Sequence, residues 1–505
     1  MEFTRRLFMS KAVLLGLGSA LPVGAVLGSV ADAAAPTAGA EPAGRFDVQR
    51  FGAVGDGRAD DTVAIQAAID AAKAAGRGLV TLPAGVYRVT DTLLVDTHYI
   101  ALQGAGMGAT FITTDRDIPI LQFGTGKVIY GCGAERLNLR TTFAGRTAKS
   151  RGLWLNACRN AAFRDIIIQS VYTGISIQGE TDEVRFHGVT VKDASKIAPE
   201  NGVHIDGSTD NVVAAFLFFT DCSFHGCTSC GFRADGREFG DFMLSDCTFV
   251  SCGTGMLLNH TIPFVAGDYG ADIQLVNCQF DSSKQNGILA RGLTHLSVIG
   301  SWFSANAQEA IRVEDSAWVK VIGADVRQGE SGITYVRCQQ SVINGVTARL
   351  MKGAGLRLLG SEHCAVSGCS IDNVETGIAV EACDKGRRSA HNTLTGCSVK
   401  ARGAGIREGA GHSPNVYTGL MIDASTPISD LRHSDISLFD ARSNQTLHAR
   451  NGVLELWGAA PPAAGQFKAG DKVYNTSPMV GGYAGWVCTA AGAPGVWKGF
   501  GQVSQ

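Results

Sequence analysis

Short runs in which apolar and polar residues alternate recur along most of this 505-residue chain. They open at Gly152, Gly174, Gly202, Gly231, Gly255, Gly287, Ala310, Gly332, Gly355, Gly377 and Gly405. Successive starts lie 22 to 32 residues apart, as from Gly152 to Gly174 and from Gly255 to Gly287. Alternation of period two marks strands buried on one side, and a repeat of this length marks units that bury their apolar faces only by stacking. A second landmark follows within the repeats: Asp221-Cys222-Ser223-Phe224, Asp246-Cys247-Thr248-Phe249, Asn277-Cys278-Gln279-Phe280, Gly300-Ser301-Trp302-Phe303, Gly368-Cys369-Ser370-Ile371 and Gly396-Cys397-Ser398-Val399. Asp, Asn and Gly tolerate positive φ, so each landmark predicts a tight turn between the second and third strands of a coil. The pattern is that of an all-β stack of about eleven coils.

One segment has helical spacing instead. Ile65, Ala68, Ile69 and Ala72 form a narrow apolar face, Asp60 or Asp61 can cap it, and Gly76 stops it before strands at 79–82 and 86–89. Such a helix can plug the open amino end of a coil stack. The stretch Phe46 to Val89, with Leu82-Pro83-Ala84-Gly85-Val86-Tyr87 inside it, resembles the amino-terminal segment shared by pectate-lyase-superfamily proteins. Those include rhamnogalacturonase-like, tailspike-like and mannuronan-epimerase-like members. The resemblance implies a right-handed parallel β-helix over residues 46–450 and a polysaccharide substrate, and leaves the reaction open.

The two ends have other characters. Thr4-Arg5-Arg6-Leu7-Phe8-Met9-Ser10-Lys11, an apolar run from Ala12 to Val30 and small residues around Ala31-Asp32-Ala33 resemble a twin-arginine export signal over residues 1–35. That implies a protein folded before export to the periplasm or beyond, with no stable membrane anchor; residues 36–45 form a linker. Beyond Pro461-Pro462, residues 465–505 read as a small C-terminal β module resembling a tail segment of tailspike-like proteins. Its Tyr474, Trp486 and Trp497 can stack on sugar rings or form its own core, and a homotrimer is a further role for such a tail.

Composition narrows the class. With 45% hydrophobic and 18% charged residues the chain can bury a large core. A net charge of −2 without a nucleic-acid motif sets aside nucleic-acid partners. Cys222, Cys247, Cys278, Cys369 and Cys397 share one repeat position, and Cys158, Cys338 and Cys383 each lie six residues after a coil start, so most of the 14 cysteines read as interior thiols. Cys227 and Cys230 have the spacing of a zinc half-site but lack a second half; a Cys227–Cys252 disulfide stays open.

Alternation also gives the external face. With Val203, Ile205, Phe232, Ala234, Met256 and Leu258 inward, the outward pairs are His204/Asp206, Arg233/Asp235 and Leu257/Asn259, then Leu289/Arg291, Arg312/Glu314 and, further on, Arg357/Leu359. Asp206 and Asp235 should be neighbours on adjacent coils, with His204 and His260 near them. Close carboxylates push one pKa up, which supplies the acid and base of glycoside hydrolysis; both also precede Gly and can be mere turn formers. The order Asp206, Asp235, His260 resembles the polygalacturonase arrangement, although that family's Asn-Thr-Asp, Asp-Asp, Gly-His-Gly and Arg-Ile-Lys signatures are missing, as is the epimerase Asp-Pro-His-Glu pattern. Arg233, Asn259, Arg291, Arg312, Glu314 and Arg357 are the candidate substrate contacts, the arginines gripping uronate carboxylates or pairing with Asp235, Glu314 and Glu381. The expected activity is therefore hydrolysis of an acidic polysaccharide without a cofactor. Two alternatives stand beside it: β-elimination, with Arg233, His204 or Arg312 as base and Ca²⁺ on Asp206 and Asp235, and non-catalytic glycan binding or adhesion. Insertions at Ser195 to Asn201, Ser208 to Ala215 and Thr261 to Gly270 surround the patch and predict cleft walls.

Overall fold

Parallel strand pairing repeats from coil to coil, and it does so three times per coil. The computed structural model describes residues 44–194, 197–208, 214–261, 272–409, 415–429, 435–442, 445–450 and 452–504. The proposed export signal, and parts of the three insertions around the patch, lie outside the described residues. First strands such as Asn201–Gly207, Cys230–Gly236 and Thr254–His260 stack in parallel register. Second strands, Ala214–Thr220, Phe242–Ser245 and Ile273–Val276, form another face, and third strands, Ser223–His225, Thr248–Val250 and Gln279–Asp281, the next. The first-strand sheet begins before Gly152, at Leu93–Val95, and runs to Thr426–Ser429.

Local chemistry explains why the repeats close into coils. Asp221, Asp246 and Asn277, between second and third strands, adopt φ of 53°, 57° and 52°, and Gly300, Gly368 and Gly396 lie at 59° to 62°. The turn predicted from residue type is the turn observed. The glycines opening each coil serve a different purpose. A Cβ on Gly202 would lie 2.3 Å from the Gly231 carbonyl oxygen and 2.6 Å from Phe224, so here glycine permits close coil stacking and does not supply positive φ.

Inside, identical positions meet. The landmark phenylalanines Phe224, Phe249, Phe280 and Phe303 stack face to face with centroid separations of 5.2, 4.7 and 4.9 Å. All 14 cysteines are buried free thiols, Cys227 and Cys252 included, so no disulfide joins them. Among the described residues no group of His, Cys, Asp or Glu converges as a metal site.

The single described α-helix, Thr62–Ala74, buries Ile65, Ala68, Ile69 and Ala72 in the common core. Asp60 receives the Thr62 amide, while Asp61 is buried and instead accepts the amides of Val54 and Gly55 at 2.6 and 3.1 Å, fastening the preceding loop. At the other end parallel stacking continues to Asp435–Asp440, and then the chain turns antiparallel through Gln445–Arg450 and Val453–Gly458. Lys472–Asn475 joins that hairpin, followed by the antiparallel strands Tyr483–Ala490 and Val496–Gln502. In this module Trp497 packs edge-on against Phe467, and Tyr474 lies between Trp457 and Phe500.

Candidate functional site

The first-strand face carries the polar residues that alternation turned outward. Val203 and Ile205 are fully buried, whereas His204 and Asp206 between them are half-exposed. Register places Asp206 opposite Asp235, Asp235 opposite Asn259, Asn259 opposite Arg291 and Arg291 opposite Glu314. A second row, two residues back, aligns His204, Arg233, Leu257, Leu289 and Arg312.

Side-chain pairing decides what this face can do. Asp235 Oδ2 takes Arg233 Nε and His204 Nε2, the latter at 3.4 Å, and its Oδ1 accepts Asn259 Nδ2 at 3.3 Å. Desolvation pushes the Asp235 carboxyl upward, but the His204 and Arg233 hydrogen bonds and the guanidinium charge outweigh it and pull the pKa down to about 2. Asp206 accepts Gln178 Nε2 at 3.0 Å and the Ser208 amide at 3.1 Å, and despite desolvation these bonds hold it below the usual carboxylate value. Each aspartate thus has its own donors, and those donors hold both carboxyls below the usual carboxylate value.

The arginines are likewise engaged. Arg291 and Arg312 both bind Glu314, at 3.0 and 2.5 Å, Arg312 also reaches Glu309 at 2.9 Å, and Arg357 approaches Glu309 at 3.9 Å. The ladder-pairing alternative is the one observed. Burial alone would lower the Arg233 and Arg312 pKa values, but their carboxylate partners raise both, which disfavours the deprotonated form that a base requires. Asp235 balances a guanidinium, and Asp206 accepts one bond on each oxygen, from Gln178 and Ser208. His260 is turned elsewhere: its Nε2 lies 3.0 Å from the Arg237 carbonyl and its ring packs edge-on to Phe239.

Three residues outside the candidate contacts, Arg151, Trp154 and Gln178, complete the patch. Trp154 donates from Nε1 to Gln178 Oε1 at 3.0 Å, and its ring lies under the Arg151 guanidinium at 4.2 Å. Trp154, Ser176 and His204 share one register row. Arg151 and Trp154 reach the same side because Gly152 and Leu153 are both buried, which breaks the alternation that would separate residues three apart. Burial lowers the Arg151 pKa, the Asp206 charge opposes this, and among the described residues no ion pair engages it. The site thus runs Arg151, Trp154, Gln178, Asp206, His204, Asp235, Arg233, Asn259.

Strand order, register and this outward polar face define a right-handed parallel β-helix of pectate-lyase-like form, and two family models match it. Residues 45–279 match the family described as rhamnogalacturonase A/epimerase, pectate lyase-like, and residues 262–418 match the right-handed β-helix region. Mannuronan C5-epimerase AlgE5 of Azotobacter vinelandii is 32% identical over 241 residues, which cover 45% of this chain and 24% of that protein. Alginate lyase 7 of the same organism is 52% identical over 73 residues, 13% of this chain and 8% of that one. The chain thus spans about a quarter or less of these two relatives. Among solved structures, the amino-terminal fragment of bacteriophage phi29 gene product 12 superposes with a TM-score of 0.56 at 15% identity, covering 81% of this chain and 74% of that one, a likeness of fold.

Proposed function

We propose that this chain modifies a uronate-containing polysaccharide by removing the sugar's C5 proton, the step shared by β-elimination and C5 epimerisation. The observation that carries this reading is the His204–Asp235 couple on the same outward face as Arg151, which no ion pair engages among the described residues. Asp235 holds the Nε2 side of the imidazole, leaving Nδ1 as the proton acceptor. Arg151 then faces the uronate carboxylate, whose charge grows as the C5–H bond breaks, with Trp154 at its side. Expulsion of the C4 oxygen gives an unsaturated end and a shorter chain; return of a proton to the opposite face gives the epimer.

Hydrolysis, preferred on sequence grounds, loses support because a general acid calls for one carboxyl raised, whereas the donors around Asp206 and Asp235 lower both. The named activities of the epimerase and lyase relatives point the same way, although the Asp-Pro-His-Glu pattern is missing from this chain. A second reading, non-catalytic glycan recognition, is favoured by the saturated pairing of Arg291, Arg312 and Glu314. Export by the twin-arginine route, suggested by residues 1–35, fits an interior of free thiols, which suits folding in a reducing compartment.

The test is incubation of oligomannuronate and oligogalacturonate with the purified chain in D₂O, followed by NMR and ultraviolet absorbance. Deuterium at C5 or an unsaturated product is expected, with His204→Gln lowering the rate on the order of 10²–10⁴-fold. New reducing ends without C5 exchange or absorbance establish hydrolysis instead, and retention of the oligomers without chemical change establishes a binder.

A further inference from the structure

The end of the coil stack holds a polar cleft remote from the first-strand face. There the second-strand face passes from parallel coils into the antiparallel hairpin, and register aligns Thr418 with Ser437, Ser437 with His448 and His448 with Glu455. These side chains, with Asp435, Arg450 and Trp457, line a cavity of 370 Å³ floored by Ile436 and Ala449. That volume falls within the roughly 300–1,000 Å³ of sites that hold small ligands. Its strand row is continuous with a different face from the one that carries His204, and it lies roughly 40 Å further along the stack at the parallel-strand spacing of about 4.8 Å per coil.

Two features show what the cleft would hold. Trp457 is braced edge-on by His448 at 5.0 Å and backed by Tyr474 at 5.4 Å, so its ring is fixed at the wall. A rigid indole flanked by hydroxyl and carboxylate groups is the combination that recognises a sugar, apolar C–H groups on the ring and hydroxyls on the acceptors. Arg450 and Asp435 supply the second feature. Both line the cavity, and among the described residues no ion pair engages either, in contrast to Arg291 and Arg312 on the first-strand face. A free guanidinium in a cleft of this kind fits a carboxylate on the ligand. Glu455 is less available, being bound by Lys472 at 3.5 Å and by the Tyr474 hydroxyl at 3.3 Å.

We propose that this cleft is an accessory site that binds a uronate-bearing segment of polysaccharide, with Trp457 as its platform and Arg450 as its carboxylate contact. The ligand class rests on the reading of the first-strand face as a uronate site; the cleft itself does not. Its position, off the face where the chemistry is proposed, makes it an anchor that raises the local concentration of polymer.

Calorimetric titration of the full chain with oligomannuronate, oligogalacturonate and a neutral cello-oligosaccharide tests this. Two binding events are expected with the uronates, one weakened about tenfold or more by either Arg450→Gln or Trp457→Ala and the other by Trp154→Ala. The exposed Arg450→Gln change keeps the proposal testable if Trp457→Ala disturbs the hairpin. A single event that Trp154→Ala removes and Arg450→Gln spares overturns the accessory site and leaves the proposed function standing. A single event with the reverse response upholds the cleft and counts against the first-strand face. Equal binding of the neutral oligosaccharide at the Arg450-sensitive site overturns the assignment of its ligand, and absence of binding overturns both.

Discussion

His204 and Asp235 illustrate how one residue's ionisation can be set by three neighbours. The two side chains come from adjacent strands and meet diagonally, while Arg233 reaches the same carboxylate from its own strand. The Asp235 pKa of about 2 lies below the ordinary value of 3.8, so the folded state binds its proton less readily than the unfolded chain. By linkage, Asp235 stabilises the fold fully above the unfolded value, and that stabilisation is lost as pH falls through the folded one. Urea denaturation of wild type and Asp235→Asn between neutral pH and about pH 2 should therefore converge at the acid end. With the Asp235 side chain 21% exposed, the wild-type advantage above pH 4 is expected to be about 1–2 kcal/mol. A difference that stays constant down to pH 2 would show that the carboxylate's partners do not hold its charge.

At the scale of the strand and turn, two glycine columns do different physical work and should fail differently. Gly231 opens a coil, and a Cβ there would meet the Gly255 carbonyl oxygen at 2.7 Å, Phe249 at 2.7 Å and the Cys252 sulfur at 3.2 Å. Gly368 sits in a turn at φ 61° with nothing within 4 Å of an added Cβ. Gly231→Ala should cost about 1–3 kcal/mol through overpacking, as the rigid backbone oxygen cannot step aside. Gly368→Ala should cost about 1–2 kcal/mol through backbone strain alone, and Gly368→Asn distinctly less. Denaturation midpoints of the three variants check this, and equal losses for Gly368→Ala and Gly368→Asn would remove the strain argument. The turns were legible in the sequence because Asp, Asn and Gly at a fixed place in the repeat report φ directly, and the outward rows were legible because strand period is two. The pairing within those rows was not. Whether Asp235 leans on Asp206 or on Arg233 is a choice between side-chain directions, to which register is indifferent, and Arg151 joined Trp154 only because the buried Gly152–Leu153 pair broke the alternation.

Over the whole molecule, the same stacking that aligns the polar rows also aligns the thiols, and this has a measurable consequence. Cys222, Cys247 and Cys278 occupy equivalent positions on successive coils, each with its sulfur directed at a backbone carbonyl, on Phe186, Phe219 and Leu244 respectively. Cys252 repeats the arrangement further round its coil, with its sulfur directed at the Phe224 carbonyl. Because burial disfavours the thiolate, the pKa values of Cys158 and Cys338 are raised, so these groups resist both alkylation and oxidation while the coils remain stacked. A coil exposes its thiols only when it separates from a neighbour, and each coil is held by the coils on either side. Thiol titration should thus find almost none of the 14 cysteines reactive in the native chain and all of them after denaturation without reductant. Export of a folded chain predicts the same full count for protein recovered outside the cytoplasm, because interior thiols enter the oxidising space already sealed. A shortfall in the recovered protein would mean that disulfides formed on an unfolded chain, and would count against both the buried-thiol interior and folding before export.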